Sequence, residues 1–130
     1  MKILESAENY LEAIFMLGQE GKPVRSIDVV NELDFTKASV SIAMKNLRSS
    51  GYIKMDKDGN IELTDSGREV AEATYARHVL ISDWLIFLGV DRETAVADAC
   101  RMEHGMSEKS YLALKNHIED WKRHVYMSGQ

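Results

Sequence analysis

The chain has 130 residues, of which 45% are hydrophobic and 28% are charged, so it is neither disordered nor membrane-embedded. Its net charge of −5 argues against unselective binding of polyanions. One cysteine cannot form an internal disulfide, and no signal peptide or apolar run of about 18 residues is present, so we expect a cytoplasmic protein.

The first 33 residues predict two helices separated by a break. Apolar residues recur at helical spacing between residues 6 and 19. Pro23 has no amide proton and keeps Lys22 out of the helical region, so the first helix must end before it. Ser26 is then expected to cap a short second helix that carries Ile27, Val30 and Leu33.

A third helix is predicted over residues 39–48, after a tight turn at 34–36. Val40, Met44 and Leu47 follow the i, i+4, i+7 pattern of a buried stripe. The opposite face carries small polar residues and cations. A short helix, a turn and a helix of this kind predict a helix-turn-helix whose third helix enters the major groove.

The next segment predicts a basic β-hairpin. Strand-forming residues at 52–55 and 61–63 flank a loop that contains Asp58-Gly59. Between Thr36 and Lys57 there are five cations and a single carboxylate, Asp56. A basic hairpin after a recognition helix indicates the wing of a winged helix, although a solvated turn is the simpler alternative.

A long fourth helix is predicted from a Thr64 cap to about residue 89. Its second half is apolar over a wide arc that includes Trp84, Phe87 and Leu88. Such an excess suggests a surface for self-association, with core packing against later helices or a ligand pocket as alternatives. Asp91 and Ser107 are expected to cap a fifth and a sixth helix.

Three potential metal ligands lie close together on the predicted fifth helix. Cys100, Glu103 and His104 occupy positions i, i+3 and i+4, which place their side chains on one face. A sulfur with nitrogen and oxygen donors suits Fe(II), Zn(II) or Co(II) better than Ca(II) or Mg(II). The alternative is a small core cysteine beside ordinary surface residues.

Taken in order, these features resemble the diphtheria toxin repressor family of metal-dependent transcriptional regulators. The resemblance rests on the Asn9-Tyr10-Leu11 segment, the winged helix, Arg77-His78 and the stretch from Cys100 to Ser107. It implies a mainly α fold, with an N-terminal winged helix-turn-helix over residues 1–70 and a helical metal-binding and dimerisation domain over 71–130. It also implies the short form without an SH3-like C-terminal domain.

The resemblance also implies the site residues. The metal ligands fall on Asn9, Glu12, His78, Cys100, Glu103 and His104. The DNA-binding residues fall on Thr36, Lys37, Ala38, Ser39, Ser41 and Ile42, to which the basic pattern adds Lys45, Arg48, Lys54 and Lys57. The self-association residues Trp84, Phe87 and Leu88 become the expected dimer interface.

Four positions depart from the family pattern. Asn9 is a neutral ligand where relatives have Met or Asp. Cys100 stands where the manganese branch has a bridging carboxylate, which favours the iron-type arrangement. Ser82 and Val96 replace ligands of the iron branch, so the ancillary site of that branch is incomplete here.

The implied function is a homodimer that binds a palindromic operator on double-stranded DNA when loaded with Fe(II) or Mn(II), and represses metal-uptake or virulence genes. The resemblance also implies that Zn(II), Co(II) or Ni(II) would substitute in vitro. The ion is expected to tie the first helix to the fourth and fifth, and so to set the recognition helices about 34 to 36 Å apart.

Two other classes of function compete with this interpretation. A winged-helix regulator could instead sense redox state or another signal through Cys100. A metalloenzyme would need an open coordination position and a positioned acid or base. Because neither a His-Glu-x-x-His motif nor a nucleophile elbow occurs, we expect no enzymatic activity.

Overall fold

The computed structural model describes the backbone of residues 5–128 and the side chains of residues 6–124. Six helices and two short strands make up this described part. In chain order they are α1 (Glu5–Gly18), α2 (Ser26–Leu33), α3 (Lys37–Ser49), β1 (Ile53–Met55), β2 (Ile61–Leu63), α4 (Asp65–Phe87), α5 (Arg92–Gly105) and α6 (Glu108–Ser128). The mainly α fold with a winged helix-turn-helix, predicted from the sequence, is confirmed.

The chain divides into two compact units, residues 1–75 and 76–130, and the division falls within α4. The sequence placed this boundary at residues 70 and 71. The first unit has a continuous apolar core to which α1, α2, α3 and both strands contribute. Its fully buried members include Leu11, Val29 and Val40. In the second unit Ile81, Ala99 and Ile118 are buried to a similar degree.

The predicted stripe on α3 forms part of the core of the first unit. Val40, Met44 and Leu47 are at most 5% exposed. Thr36 caps the helix, because its Oγ1 accepts a hydrogen bond from the backbone N–H of Ser39 at 3.1 Å. The opposite face of α3 is therefore left toward solvent, where Ile42 is 63% exposed.

The two strands pair antiparallel, with Lys54 opposite Glu62. Their loop is held by Asp56, whose carboxylate accepts hydrogen bonds from the backbone N–H of Asp58 and from the backbone and side chain of Asn60 at 2.9 to 3.0 Å. These bonds, chiefly those from Asn60, lower the pKa of the Asp56 carboxyl below its usual range. The loop is thus a structured turn.

The start of α2 differs from the prediction. Ser26 is the first helical residue, and Arg25 occupies the cap position. The cap bond comes from a residue inside the helix: the carboxylate of Asp28, at the third helical position, accepts a hydrogen bond from the backbone N–H of Arg25 at 2.9 Å. Serine and aspartate both suit a helix start, so the local sequence could not decide between the two arrangements.

The remaining caps agree with the sequence. Thr64 accepts from the backbone N–H of Gly67 at 3.2 Å, Asp91 from that of Thr94 at 3.0 Å, and Ser107 from that of Ser110 at 3.1 Å. The bonds from Thr94 lower the pKa of the Asp91 carboxyl.

Gly67 permits a close approach in the first unit. A Cβ atom at this position would overlap the carbonyl oxygen of Tyr52, and the same oxygen accepts a hydrogen bond from the backbone N–H of Thr64 at 3.1 Å. The Thr64 hydroxyl in turn donates to the carbonyl of Gly51 at 2.7 Å. The first turn of α4 therefore lies directly against the segment that precedes β1.

Along the described helices, none combines the length and hydropathy needed to cross a membrane.

Candidate metal centre and DNA-binding surface

The candidate metal centre lies in the second unit, where α4 contributes His78 and α5 contributes Cys100, Glu103 and His104. Single ligand atoms of Cys100, Glu103 and His104 all lie within 4.8 Å of one another. The fifth-helix spacing of i, i+3 and i+4 thus brings a sulfur, an oxygen and a nitrogen donor to one place.

Glu103 is the centre of this cluster. Its side chain is fully buried, and neither of its carboxylate oxygens receives a hydrogen bond from the described residues. Nδ1 of His78 lies 3.4 Å from Oε2, and Nε2 of His104 lies 3.2 Å from Oε1. A buried carboxylate without hydrogen-bond donors is costly, so its surroundings call for a positive charge.

A transition-metal ion fits this arrangement. Nitrogen and oxygen ligands lie about 2.0 to 2.2 Å from such an ion, so two ligands at tetrahedral or octahedral angles are about 3 to 3.5 Å apart. Both nitrogen-to-oxygen distances around Glu103 fall within that range. The side chains of His78 and His104 are only 16% and 2% exposed, so an ion here would be largely shielded from water.

The other two predicted ligands belong to the first unit. Asn9 and Glu12 lie on α1, and Glu12 is 8% exposed. Glu12 is therefore a buried carboxylate and not a surface charge.

The residues predicted to bind DNA lie in the first unit, on or beside α3 and in the hairpin. All ten are exposed: Thr36, Lys37, Ala38, Ser39, Ser41, Ile42, Lys45, Arg48, Lys54 and Lys57. Ser41, Lys45 and Arg48 line an open cleft of about 220 Å³ together with Ser26 of α2 and Met55 of β1. The helix-turn-helix and the hairpin thus share one surface that carries cations.

Arg25 is an exposed residue that contacts the hairpin, and no sequence pattern predicted this contact. Its Nη2 donates to the carbonyl of Asp58 at 2.6 Å, and its Nε donates to Oδ1 of Asn60 at 3.4 Å. It therefore joins the start of α2 to the tip of the wing. No local signal could reveal a contact between residues 33 to 35 positions apart.

The residues predicted to form a dimer interface lie at the end of α4 and in the turn that follows. Phe87 and Leu88 are 55% and 60% exposed. Trp84 stacks on Phe87 with ring centroids 5.7 Å apart, and Trp121 of α6 packs edge-on against both rings. The second unit therefore presents an aromatic cluster with a large apolar residue beside it.

Two protein-family models match the chain. The model described as "Iron dependent repressor, N-terminal DNA binding domain" matches residues 2–61, and "Iron dependent repressor, metal binding and dimerisation domain" matches residues 64–126. Together they cover nearly the whole chain.

Individual relatives agree with these models. An uncharacterized HTH-type transcriptional regulator of Methanocaldococcus jannaschii is 32% identical over 93% of this chain and 98% of its own length. The iron-dependent repressor IdeR of Mycobacterium tuberculosis is 32% identical over 82% of this chain, which spans 47% of that repressor. The solved structure of the metal-dependent transcriptional regulator MtsR superimposes with a TM-score of 0.78 at 28% identity, over 87% of this chain and 53% of that one.

Proposed function

Because this chain belongs to the iron-dependent repressor family of metal-dependent, DNA-binding transcriptional regulators, we propose that it represses transcription when Fe(II) or Mn(II) occupies the centre around Glu103. The members of this family are transcriptional regulators, which leaves the redox-sensing and enzymatic alternatives without support. Binding of a divalent metal, binding of DNA and dimerisation are properties of the family's two domains.

The buried carboxylate of Glu103 is the observation that carries the proposal. Two imidazole nitrogens lie within 3.4 Å of it and the Cys100 thiol lies nearby, yet no described residue donates a hydrogen bond to it. We assign His78, Cys100, Glu103 and His104 as ligands, and Asn9 and Glu12 stay predictions from the family resemblance. A bound ion would supply the positive charge that stabilises the Glu103 carboxylate and a thiolate at Cys100.

The choice of metal is part of the proposal. The thiolate of Cys100 favours Fe(II) over Mn(II), because Mn(II) prefers oxygen ligands. Zn(II), Co(II) and Ni(II) should also bind in vitro, since thiolate and imidazole ligands suit them equally well.

The first unit would bind DNA through the exposed face of α3 in the major groove and through the wing along the backbone. Lys45, Arg48, Lys54 and Lys57 would contact phosphates, and Ile42 would contact thymine methyl groups. Two copies joined through the aromatic cluster would bind a palindromic operator, with one α3 helix in each half-site. A protein that regulates transcription in this way would act in the cytoplasm.

The experiment that tests this function measures DNA affinity with and without metal. A duplex would first be selected from a random DNA library with the Mn(II)-loaded protein. The affinity of the protein for this duplex would then be measured in the presence of Mn(II), of Fe(II) under anaerobic conditions, and of EDTA. A coupling of about 1 to 3 kcal/mol predicts that affinity rises about 5- to 150-fold with metal. Equal affinity in all three titrations would contradict the proposal.

A further inference from the structure

Arg77, which precedes His78 on α4, contacts both helices that follow. Its Nη1 lies 3.3 Å from the carbonyl oxygen of Glu103 and 3.3 Å from that of Met106, and it donates to both. Its guanidinium carbon lies 4.6 Å from the centroid of the Tyr111 ring on α6. One side chain thus connects α4, the end of α5 and the start of α6.

The chemistry of guanidinium suits this position. The last carbonyls of a helix have no N–H partners within the helix and carry partial negative charge, so a cation that donates to them is favourable. The Tyr111 ring is buried and provides a π face on which a planar cation stacks. Lysine keeps the charge but has neither the planar shape nor the fixed set of donors.

The position of these carbonyls matters because one of them belongs to Glu103 itself. Hydrogen bonding fixes the Glu103 backbone against α4, one residue before His78. With the backbone in that placement, Nδ1 of His78 lies 3.4 Å from Oε2 of Glu103. We propose that Arg77 is a positioning residue for the metal centre, which holds the end of α5 on α4 so that Glu103 and His104 meet His78 around one ion.

This inference rests on the proposed metal centre and goes beyond it, since the described hydrogen bonds of Arg77 go to main-chain carbonyls. Co(II) is a suitable probe, because its absorption reports both affinity and coordination geometry. Arg77→Gln removes the cation and leaves a side chain of moderate length. Arg101→Gln is the matched control, because Arg101 lies on α5 next to Cys100 but is 78% exposed and pairs only with Asp98 among the residues described.

The expected result is a loss of Co(II) affinity of about 10- to 100-fold for Arg77→Gln, the range seen when groups that orient metal ligands are removed. The absorption bands of the Co(II)-saturated variant should also change in position or intensity. Arg77→Lys should recover part of the affinity, and Tyr111→Leu should lose a smaller part than Arg77→Gln. Arg101→Gln should bind as the wild type does.

A purely structural role for Arg77 would give another pattern. The metal-free variant would unfold at lower urea concentration, but its saturated Co(II) spectrum and affinity would equal those of the wild type, and that result would overturn the proposal. If Arg77→Gln does not fold, the Co(II) affinity and the Co(II)-saturated spectra of Arg77→Lys and Tyr111→Leu provide the same test. A wild-type protein that bound no Co(II) would overturn the metal centre itself, and the role of Arg77 with it.

Discussion

In the second unit, Nε2 of His104 lies 3.2 Å from Oε1 of Glu103, the residue that precedes it on α5. Neighbouring side chains on a helix normally diverge by about 100°. Here both side chains are nearly or fully buried, and they meet in the same place. Such a convergence brings an imidazole and a carboxylate, both metal ligands, together away from water, which is the arrangement that a metal ion stabilises.

Glu103→Gln separates metal binding from folding. We expect it to lower the affinity for Mn(II) or Co(II) by at least about 100-fold, because a neutral amide replaces a charged ligand. The stability of the metal-free protein should stay the same or rise, since the variant no longer buries a carboxylate. Isothermal titration and urea unfolding measure the two effects. Glu119→Gln, an exposed change on α6, is the control for charge, and equal metal affinity in both variants would contradict the assignment.

Cys100→Ser changes metal preference more than metal binding as such. Serine offers a harder donor, so the affinity for Co(II) and Zn(II) should fall more than that for Mn(II), on the order of tenfold in the ratio. The thiolate-to-cobalt charge-transfer absorption should disappear. Competition titrations between Co(II) and Mn(II) measure the ratio. An unchanged ratio would show that the Cys100 sulfur does not bind the ion.

Two substitutions on α3 distinguish base contacts from phosphate contacts. Lys45→Ala should weaken binding to all duplexes and reduce the slope of log affinity against log salt by about 0.9, the value for one phosphate contact. Ile42→Ala should weaken only the selected operator, by several-fold, and leave the slope unchanged. Fluorescence anisotropy on operator and random duplexes at several salt concentrations gives both quantities. If Lys45→Ala weakened only operator binding and Ile42→Ala reduced the salt slope, α3 would be oriented differently on DNA.

The aromatic cluster provides a test of dimerisation. Leu88 is 60% exposed, and we expect Leu88→Glu to shift the protein toward monomers because it places a charge in an apolar interface. Sedimentation equilibrium measures the change. Met16→Glu adds the same charge to an exposed site on α1 and should leave the oligomeric state as it is. A dimer of unchanged stability in Leu88→Glu would place the interface elsewhere.

The wing should weaken in acid. Hydrogen bonds hold the pKa of Asp56 below its ordinary value of 3.8 in the folded protein, so the unfolded chain binds this proton more tightly. The stabilisation by the Asp56 carboxylate is therefore fully present well above pH 3.8 and is lost as the pH falls through that value to the lower, folded-state pKa. The stability difference between wild type and Asp56→Ala should be constant near neutral pH and shrink below pH 4.

Thermal unfolding of both proteins between pH 3 and 7 measures this difference. Glu20→Ala, in the exposed turn after α1, controls for the change in net charge. A difference between wild type and Asp56→Ala that stayed constant down to pH 3 would show that the carboxylate does not hold the turn.

Features that depend on local chemistry were predictable from the sequence. The caps at Thr64, Asp91 and Ser107 follow from side chains that accept hydrogen bonds from the backbone N–H three residues on. The buried face of α3 follows from apolar spacing, and the placement of Cys100 beside His104 follows from one helical turn. In each case the residues that carry the prediction lie within one or two helical turns of one another.

Features that depend on tertiary contacts were not predictable. Arg25 reaches the wing across more than thirty positions, and Arg77 reaches the carbonyls of Glu103 and Met106 across 26 and 29. Arginine side chains are long and have several hydrogen-bond donors, so the sequence alone does not indicate which of many acceptors each one contacts. The predicted cap at Ser26 was wrong for a different reason, since Ser26 and Asp28 are both good cap candidates within one turn and Asp28 makes the cap bond with Arg25.

Gly67 has a consequence for exchanging parts between relatives. Because no side chain fits between the first turn of α4 and Tyr52, the backbone before β1 is set by the helix that follows the wing. In a chimera that contained only the hairpin of another repressor, the backbone at Tyr52 would still have to follow the path that Gly67 allows. Grafts that carry residues 51–67 as a single block should fold, whereas shorter grafts that alter the main-chain path at Tyr52 should not.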